Sequence, residues 1–146
     1  MLLRLFSSVF FLLIVPHALL AQQVDFGDNA SEWAKDGRCD DPRFVGPGMG
    51  ELAFGTYFAQ PDMMHDAQDC RMQYEAGNVR LRGIDGNVID FGDNASEFAN
   101  NGECDDMRFE GVGMTALELL FADLLHDATD CRRGFESNRL TLVGIE

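Results

Sequence analysis

Acidic side chains cluster beside all four cysteines of this chain. The segment from Cys39 to Asp41 reads Cys-Asp-Asp and recurs at Cys104, while Asp66-Ala67-Gln68-Asp69-Cys70 recurs as Asp127-Ala128-Thr129-Asp130-Cys131. Carboxylates held within a few ångströms repel one another unless they are protonated or neutralised, and a bound hard cation neutralises them. Calcium takes about six to eight oxygen ligands in a flexible shell, so the pattern predicts one calcium site in each half of the chain.

The candidate ligands are the carboxylates that occur in both halves close to the cysteines. They are Asp28, Glu32, Asp40, Asp41, Asp66 and Asp69 in the first half, and Asp93, Glu97, Asp105, Asp106, Asp127 and Asp130 in the second. The alternative interpretation is that they are helix caps and surface charges, some of them paired with Arg43, Arg71, Arg108 or Arg132. Both interpretations are open at the level of sequence.

The two halves are copies of one unit. Residues 24–49 align with residues 89–114 without a gap, at a shift of 65, and 18 of the 26 positions are identical. A second block follows at a shift of 61 and aligns His65 with His126. Such agreement indicates an internal duplication, with a first repeat at 22–84 and a second at 85–146.

The first 21 residues have the features of a secretory signal peptide. Arg4 precedes an apolar run from Leu5 to Val15, and Pro16 and Ala21 follow it. The run is shorter than the roughly 20 residues that span a bilayer, although a membrane anchor is the competing interpretation. We therefore expect a secreted or periplasmic protein that has no membrane attachment after cleavage.

Export favours two disulfides over free thiols. Four cysteines allow three pairings, and a zinc site is the rival, although no two cysteines have the close spacing that zinc sites use. Because a single ancestral unit with two cysteines would have closed on itself, we expect Cys39 to pair with Cys70 and Cys104 with Cys131.

The elements that must position these residues are short, and they indicate a small α+β fold. Asn29 and Asn94 begin patterns typical of a capped helix, and the run from Thr115 to Leu125 places apolar residues at helical spacing. The stretch from Glu51 to Met64 is expected to form a shorter or broken helix. Further helices are expected from Asp66 and Asp127, each followed by a closing strand. Asp85-Gly86 predicts a hairpin that joins the two repeats into one pseudo-symmetric body.

Two resemblances accompany these patterns. Asn101-Gly102-Glu103-Cys104-Asp105 and the segment 127–131 are similar to short segments of the Lin-12/Notch repeat, an extracellular calcium-binding module with six cysteines. That resemblance implies a cation site lined by Asp105, Asp127 and Asp130, with Asp40, Asp66 and Asp69 in the first repeat. The segment from Gly27 to Phe44 resembles an uncharacterised disulfide repeat of exported bacterial proteins. This second resemblance implies no activity.

The composition narrows the classes of function. With 25 acidic and 11 basic residues the formal net charge is −14, which argues against binding to nucleic acid or to an anionic membrane. No nucleophile elbow or phosphate loop is present. We expect a non-enzymatic exported module that binds a protein or an extracellular polymer. The alternatives are an accessory or inhibitor-like domain acting on a secreted hydrolase and a small glycosidase that uses a carboxylate pair.

Overall fold

The structure is a computed structural model that describes residues 23–50, 62–86, 88–117 and 119–145. Its strands are β1 (Phe44–Val45), β2 (Arg80–Leu81), β3 (Ile84–Asp85), β4 (Val88–Ile89), β5 (Phe109–Gly111) and β6 (Leu140–Leu142). Its α-helices are α1 (Ala67–Glu75) and α2 (Ala128–Glu136), and a 3-10 turn covers Phe121–Asp123. The predicted signal peptide and most of the broken helix predicted for Glu51 to Met64 lie outside the described residues.

The α+β class expected from the sequence is confirmed, with the strands in three two-stranded antiparallel sheets. β1 pairs with β2 and β5 pairs with β6, which are equivalent sheets in the two repeats, while β3 and β4 form the predicted hairpin. The helices after Asp66 and Asp127 and the closing strands are also confirmed. Among the described residues no helix has the length and apolar character required to cross a membrane.

Both predicted disulfides are present, and each connects the two blocks of its repeat that recur in the other repeat. Cys39 is bonded to Cys70 and Cys104 to Cys131, and all four cysteines are at most 1% exposed. Each bridge ties the first turn of a helix to the segment that leads into β1 or β5. Since structural disulfides persist in oxidising compartments, the bonded chain belongs outside the reducing cytoplasm.

Each repeat contains a cluster of three aromatic rings, and in the first repeat the two Phe rings are buried while Tyr74 is 37% exposed. Phe26 stacks on Phe44 with ring centroids 5.7 Å apart, and Tyr74 meets both rings edge-on. The second repeat reproduces this cluster with Phe91, Phe109 and Phe135. Such pairs combine burial of a large apolar area with favourable ring geometry, so they replace the larger core that a short repeat cannot form.

The beginning of each repeat pairs with the end of the other. In the hairpin Ile89 pairs with Ile84, and at the equivalent positions Val24 forms an antiparallel bridge with Ile145. Ile84 and Ile145 are partly buried and pack against both hydrophobic clusters. The two repeats therefore share an apolar contact region between their aromatic cores.

A buried arginine in each repeat makes a further connection between the two repeats. Arg43 Nη1 donates to the carbonyl oxygens of Asp25, at 3.0 Å, and Val143, at 3.1 Å. The equivalent Arg108 Nη1 donates to the carbonyl oxygens of Asp90 and Arg82. Because these arginines satisfy buried or partly buried backbone acceptors on both repeats, they connect the first and second halves of the chain.

The helix predicted to begin at Asn29 is wrong, as is its copy at Asn94. Residues 29–38 form turns and bends, and Lys35 has a φ of 77°. The Asn29 side chain instead accepts the amide of Gln68, at 2.8 Å, in the first turn of α1. The residue therefore caps a helix about 40 positions away, and its copy Asn94 caps α2 through the Thr129 amide.

The helix predicted to begin at Thr115 is also wrong for the residues that the structure describes. The segment contains only the 3-10 turn, Leu117 is 64% exposed, and Leu125 has a φ of 68°. Leu124 is buried as expected. The Leu125 amide donates to the buried carboxylate of Asp106, so tertiary hydrogen bonding overrides the helical spacing of the apolar residues.

Candidate metal centre

Two of the predicted ligands are engaged in buried ion pairs with arginine. Asp41 accepts the Nε and Nη2 protons of Arg43, the latter at 2.6 Å, and both side chains are at most 3% exposed. Asp41 also accepts the Met64 amide. Asp106 makes the same bonds with Arg108 and Leu125. These carboxylates are neutralised by bidentate bonds and support the fold.

Four other predicted ligands lie at the surface. Asp28 accepts the Ala30 amide and lies 2.6 Å from Nδ1 of His65, and this hydrogen bond lowers the pKa of Asp28. Asp93 and His126 form the same pair. Glu32 and Glu97 are exposed. Each histidine thus contacts a carboxylate about 35 positions away in the sequence.

Three further predicted ligands of the first repeat, Asp40, Asp66 and Asp69, are buried beside its disulfide. Together with the exposed Asp36 they form the group that we call the first acidic cluster. Asp66 is fully buried, and its Oδ2 accepts the Asp40 amide at 2.8 Å and lies 3.6 Å from Sγ of Cys70. Asp69 is 2% exposed and accepts the Gly37 amide at 2.9 Å.

Two oxygens of the first acidic cluster have no hydrogen-bond partner among the described residues. They are Oδ2 of Asp40 and Oδ1 of Asp66, and both are fully shielded from solvent. An ionised carboxylate oxygen without a partner is costly to bury, and nearly all buried polar atoms in native proteins are satisfied. A proton, a cation or a bound water would satisfy these two oxygens.

Burial raises the pKa of these carboxyl groups. Desolvation raises the pKa of Asp66 to about 7, and the charges of Asp69 and Asp40 contribute in the same direction. Desolvation also raises the pKa of Asp40 to about 6, with Asp36 and Asp62 as the next causes. Asp36 and Asp62 thus influence Asp40, although neither was predicted as a ligand. The alignment of Asp62 with Asp123 was the signal in the sequence that could have identified it.

The second repeat contains the corresponding group. We call Asn101, Asp105, Asp127 and Asp130 the second acidic cluster. Asp127 is fully buried, its Oδ2 accepts the Asp105 amide at 2.9 Å, and its Oδ1 has no partner among the described residues. Desolvation raises the pKa of Asp127 to about 6. The surroundings of Asp66 in the first repeat are therefore reproduced around Asp127 in the second.

The carboxylates converge less closely than the sequence pattern suggested. In the part of the chain that the structure describes, the triads whose ligand atoms all lie within 4.8 Å of one another are Asp66 with Cys39 and Cys70, and Asp127 with Cys104 and Cys131. The sulfurs are bonded in disulfides, so they are not the thiolates that bind metals. The candidate ligands of an ion are therefore the oxygens of Asp66 and its neighbours, and of Asp127 and its neighbours.

Comparisons with protein-family models, with characterised proteins and with solved structures give no match to this chain.

Proposed function

We propose that this chain is an exported, non-enzymatic binding module in which buried carboxylates beside the disulfides hold a hard divalent cation, with calcium as the expected ion. The single observation that carries the proposal is the recurrence of a buried, unpartnered carboxylate oxygen at equivalent positions, Oδ1 of Asp66 and Oδ1 of Asp127. A bound cation would satisfy this oxygen, which is fully buried and unpartnered at the same position of both repeats.

The proposed ligands are fewer than those predicted from sequence. Asp41 and Asp106 are excluded because arginine and backbone donors already engage both of their oxygens. Asp28 and Asp93 are directed toward histidine at the surface. The proposal therefore retains the buried carboxylates of the two clusters: Asp40, Asp66 and Asp69, with Asp105, Asp127 and Asp130.

The chemistry of these groups favours calcium over transition metals. The donors are carboxylate oxygens, which suit hard ions, whereas zinc and copper sites in proteins use imidazole or thiolate ligands. The histidines contact Asp28 and Asp93, and the cysteines are oxidised. An oxidising, calcium-rich compartment supports both the disulfides and occupancy of the cation sites.

A bound ion would act on the loop that carries the exposed aromatic residue of the first repeat. Asp69 accepts the amide of Gly37, which lies in the turn segment 31–38, and Trp33 in that segment is 39% exposed. Neutralising Asp40 and Asp66 would stabilise the base of this loop. We propose that the loop contributes to a surface for a protein or an extracellular polymer, since aromatic residues are enriched at binding interfaces.

Calorimetric titration of calcium into the chelator-treated, disulfide-bonded mature protein tests the proposal. Binding heat together with an increased melting temperature is expected, because a ligand that binds only the folded state stabilises it. The variant Asp66→Asn/Asp127→Asn should lose both effects, since Asn can still accept the amide of Asp40 or Asp105 but carries no charge.

The variant Asp25→Asn/Asp90→Asn is the matched control. These aspartates each accept an amide two residues ahead and lie at the surface, so Asn keeps the turn and removes the same amount of charge. Calcium binding should be unchanged in this control. Absence of binding heat and of any calcium-dependent thermal shift in the unmutated protein would refute the cation site.

A further inference from the structure

We infer that the two acidic clusters are not equivalent, and that the first is the tight cation site while the second has acquired side chains that satisfy its carboxylates internally. This inference rests on the proposed function and assigns the occupancy of its two sites. It follows from the positions at which the repeats differ around otherwise identical aspartates. In the first cluster two buried carboxylate oxygens are unpartnered, and in the second cluster one is, among the described residues.

The difference begins at Asp40 and its counterpart Asp105. Asn101 Nδ2 donates to Asp105 Oδ2 at 3.4 Å, and the Thr115 side chain is a second hydrogen-bond partner of Asp105. In the first repeat the equivalent residues are Asp36, which repels Asp40, and Gly50, which has no side chain. The same carboxylate thus has two added donors in one repeat and neither of them in the other.

Gly50 also leaves the space that Thr115 occupies in the other repeat. A Cβ atom on Gly50 would overlap Oδ1 of Asp40, so the glycine allows this carboxylate to lie directly against the backbone. The amides of Gly50 and Thr115 both donate to the carbonyl of the first cysteine of their repeat, which shows that the backbone paths are equivalent. The substitution therefore changes the surroundings of the carboxylate without changing the loop.

A third difference concerns Asp69 and its counterpart Asp130. Arg133 Nη1 lies 3.3 Å from Oδ1 of Asp130, whereas the equivalent residue of the first repeat is Met72. The arginine is 66% exposed, so this ion pair contributes little to stability, but it occupies an oxygen that an ion would need. Each of the three substitutions gives the second cluster a donor that the first cluster lacks.

Net charge does not distinguish the clusters once their charged neighbours are counted. Arg38 offsets the additional carboxylate of Asp36 beside the first cluster, and Arg133 offsets Glu103 beside the second. Arg38 Nη1 donates to the Met49 carbonyl and not to the carboxylates. The distinction therefore lies in which carboxylate oxygens are already hydrogen-bonded, and those of the first cluster are more available to a cation.

The experiment exchanges the distinguishing residues between the repeats and titrates each disulfide-bonded protein with calcium alone. The unmutated protein should bind one ion tightly. Asp36→Asn/Gly50→Thr, which gives the first cluster the residues of the second, should weaken binding of that ion by about tenfold or more, because the added amide and hydroxyl would engage the Asp40 oxygens that the ion needs. Asn101→Asp/Thr115→Gly should instead produce a second tight ion.

The single variants Asp36→Asn and Asn101→Asp keep the inference testable if a double variant fails to fold. Each exchanges a surface side chain for one of nearly equal shape. Two ions of equal affinity in the unmutated protein, or a tight ion that Asp36→Asn and Asp36→Asn/Gly50→Thr both leave unchanged, would overturn the inference while leaving the proposed function intact. No calcium binding in any variant would instead refute the proposed function.

Discussion

Arg43 Nη1 donates to the carbonyl oxygen of Val143 across 3.1 Å of space and one hundred positions of sequence. The same guanidinium is held by Asp41 within its own repeat. Arg108, its copy, bonds in the same way to Asp106 and to the carbonyl of Arg82. Each repeat therefore uses a buried ion pair to hold the chain that follows the last strand of the other repeat.

Replacing Arg43 by Met should destabilise the protein by about 3 to 5 kcal/mol, because the Asp41 carboxylate would remain buried without its charge partner. The free energy of unfolding in urea measures this loss. The double variant Asp41→Asn/Arg43→Met should lose less than the single variant, since it leaves no uncompensated charge, and Asn can still accept an amide.

Arg133→Gln is the control for that series, because its pair with Asp130 is largely exposed and should contribute about 0 to 1 kcal/mol. The assignment of Arg43 as the central connection would be contradicted if the two single variants were destabilised equally, or if the double variant were less stable than Arg43→Met.

Removing either disulfide should destabilise the chain substantially. The bridges join residues 31 and 27 positions apart, and loops of this length give roughly 3 to 4 kcal/mol per bridge on the chain-entropy estimate. The variants Cys39→Ala/Cys70→Ala and Cys104→Ala/Cys131→Ala, unfolded in urea beside the unmutated protein, measure each bridge separately. Unchanged stability in both variants and in the fully reduced protein would show that the bridges are not structural supports.

In the absence of a bound cation, the free energy of unfolding should decrease as the pH rises. The pKa of Asp66 is about 7 and that of Asp127 about 6 in the folded chain, against an ordinary value of 3.8. The folded state therefore binds more protons than the unfolded state between these values. The contribution of these groups is fully present below about pH 4 and is lost as the pH rises through 6 to 7.

Urea unfolding in the presence of a chelator, at several values between about pH 4 and pH 8, measures this dependence. Asp66→Asn/Asp127→Asn should flatten the curve, and calcium should restore stability to the unmutated protein at the upper end. Asp28 and Asp93 have lowered pKa values, so their contribution is lost only below this range. A chelated protein whose stability rises throughout the range would contradict the protonation of the buried carboxyls.

The sequence allowed prediction of the elements that local pattern or duplication determines. The disulfide pairing followed from the repeat and the hairpin from the residues around Gly86, and α1 and α2 lie where helices were expected after Asp66 and Asp127. The errors arose where distant groups compete for the same atoms. Asn29 has the composition of a local cap, yet its side chain bonds to Gln68, and only the fold brings that amide within reach.

The first acidic cluster shows the same limit of prediction from sequence. The sequence indicated that carboxylates gather near the cysteines, and Asp40, Asp66 and Asp69 are indeed buried there. The sequence did not show that Asp41 is paired with Arg43. The aspartates near the cysteines cannot be distinguished until their hydrogen bonds are known. Distinguishing structural carboxylates from available ones therefore requires the positions of their donors.

The remote capping of α1 and α2 gives the last prediction. Asn29→Ala should remove the acceptor of the Gln68 amide, and Asn94→Ala that of the Thr129 amide, each at a cost of about 1 kcal/mol. Amide hydrogen exchange should accelerate at Gln68 or Thr129, about 35 to 40 positions from the substitution, because the helix loses its first-turn partner. The control Gln68→Ala alters an exposed side chain but keeps this backbone hydrogen bond, so exchange at position 68 should change little. If Asn29→Ala instead accelerated exchange only within residues 29–38, the result would support the local helix cap that the sequence suggested.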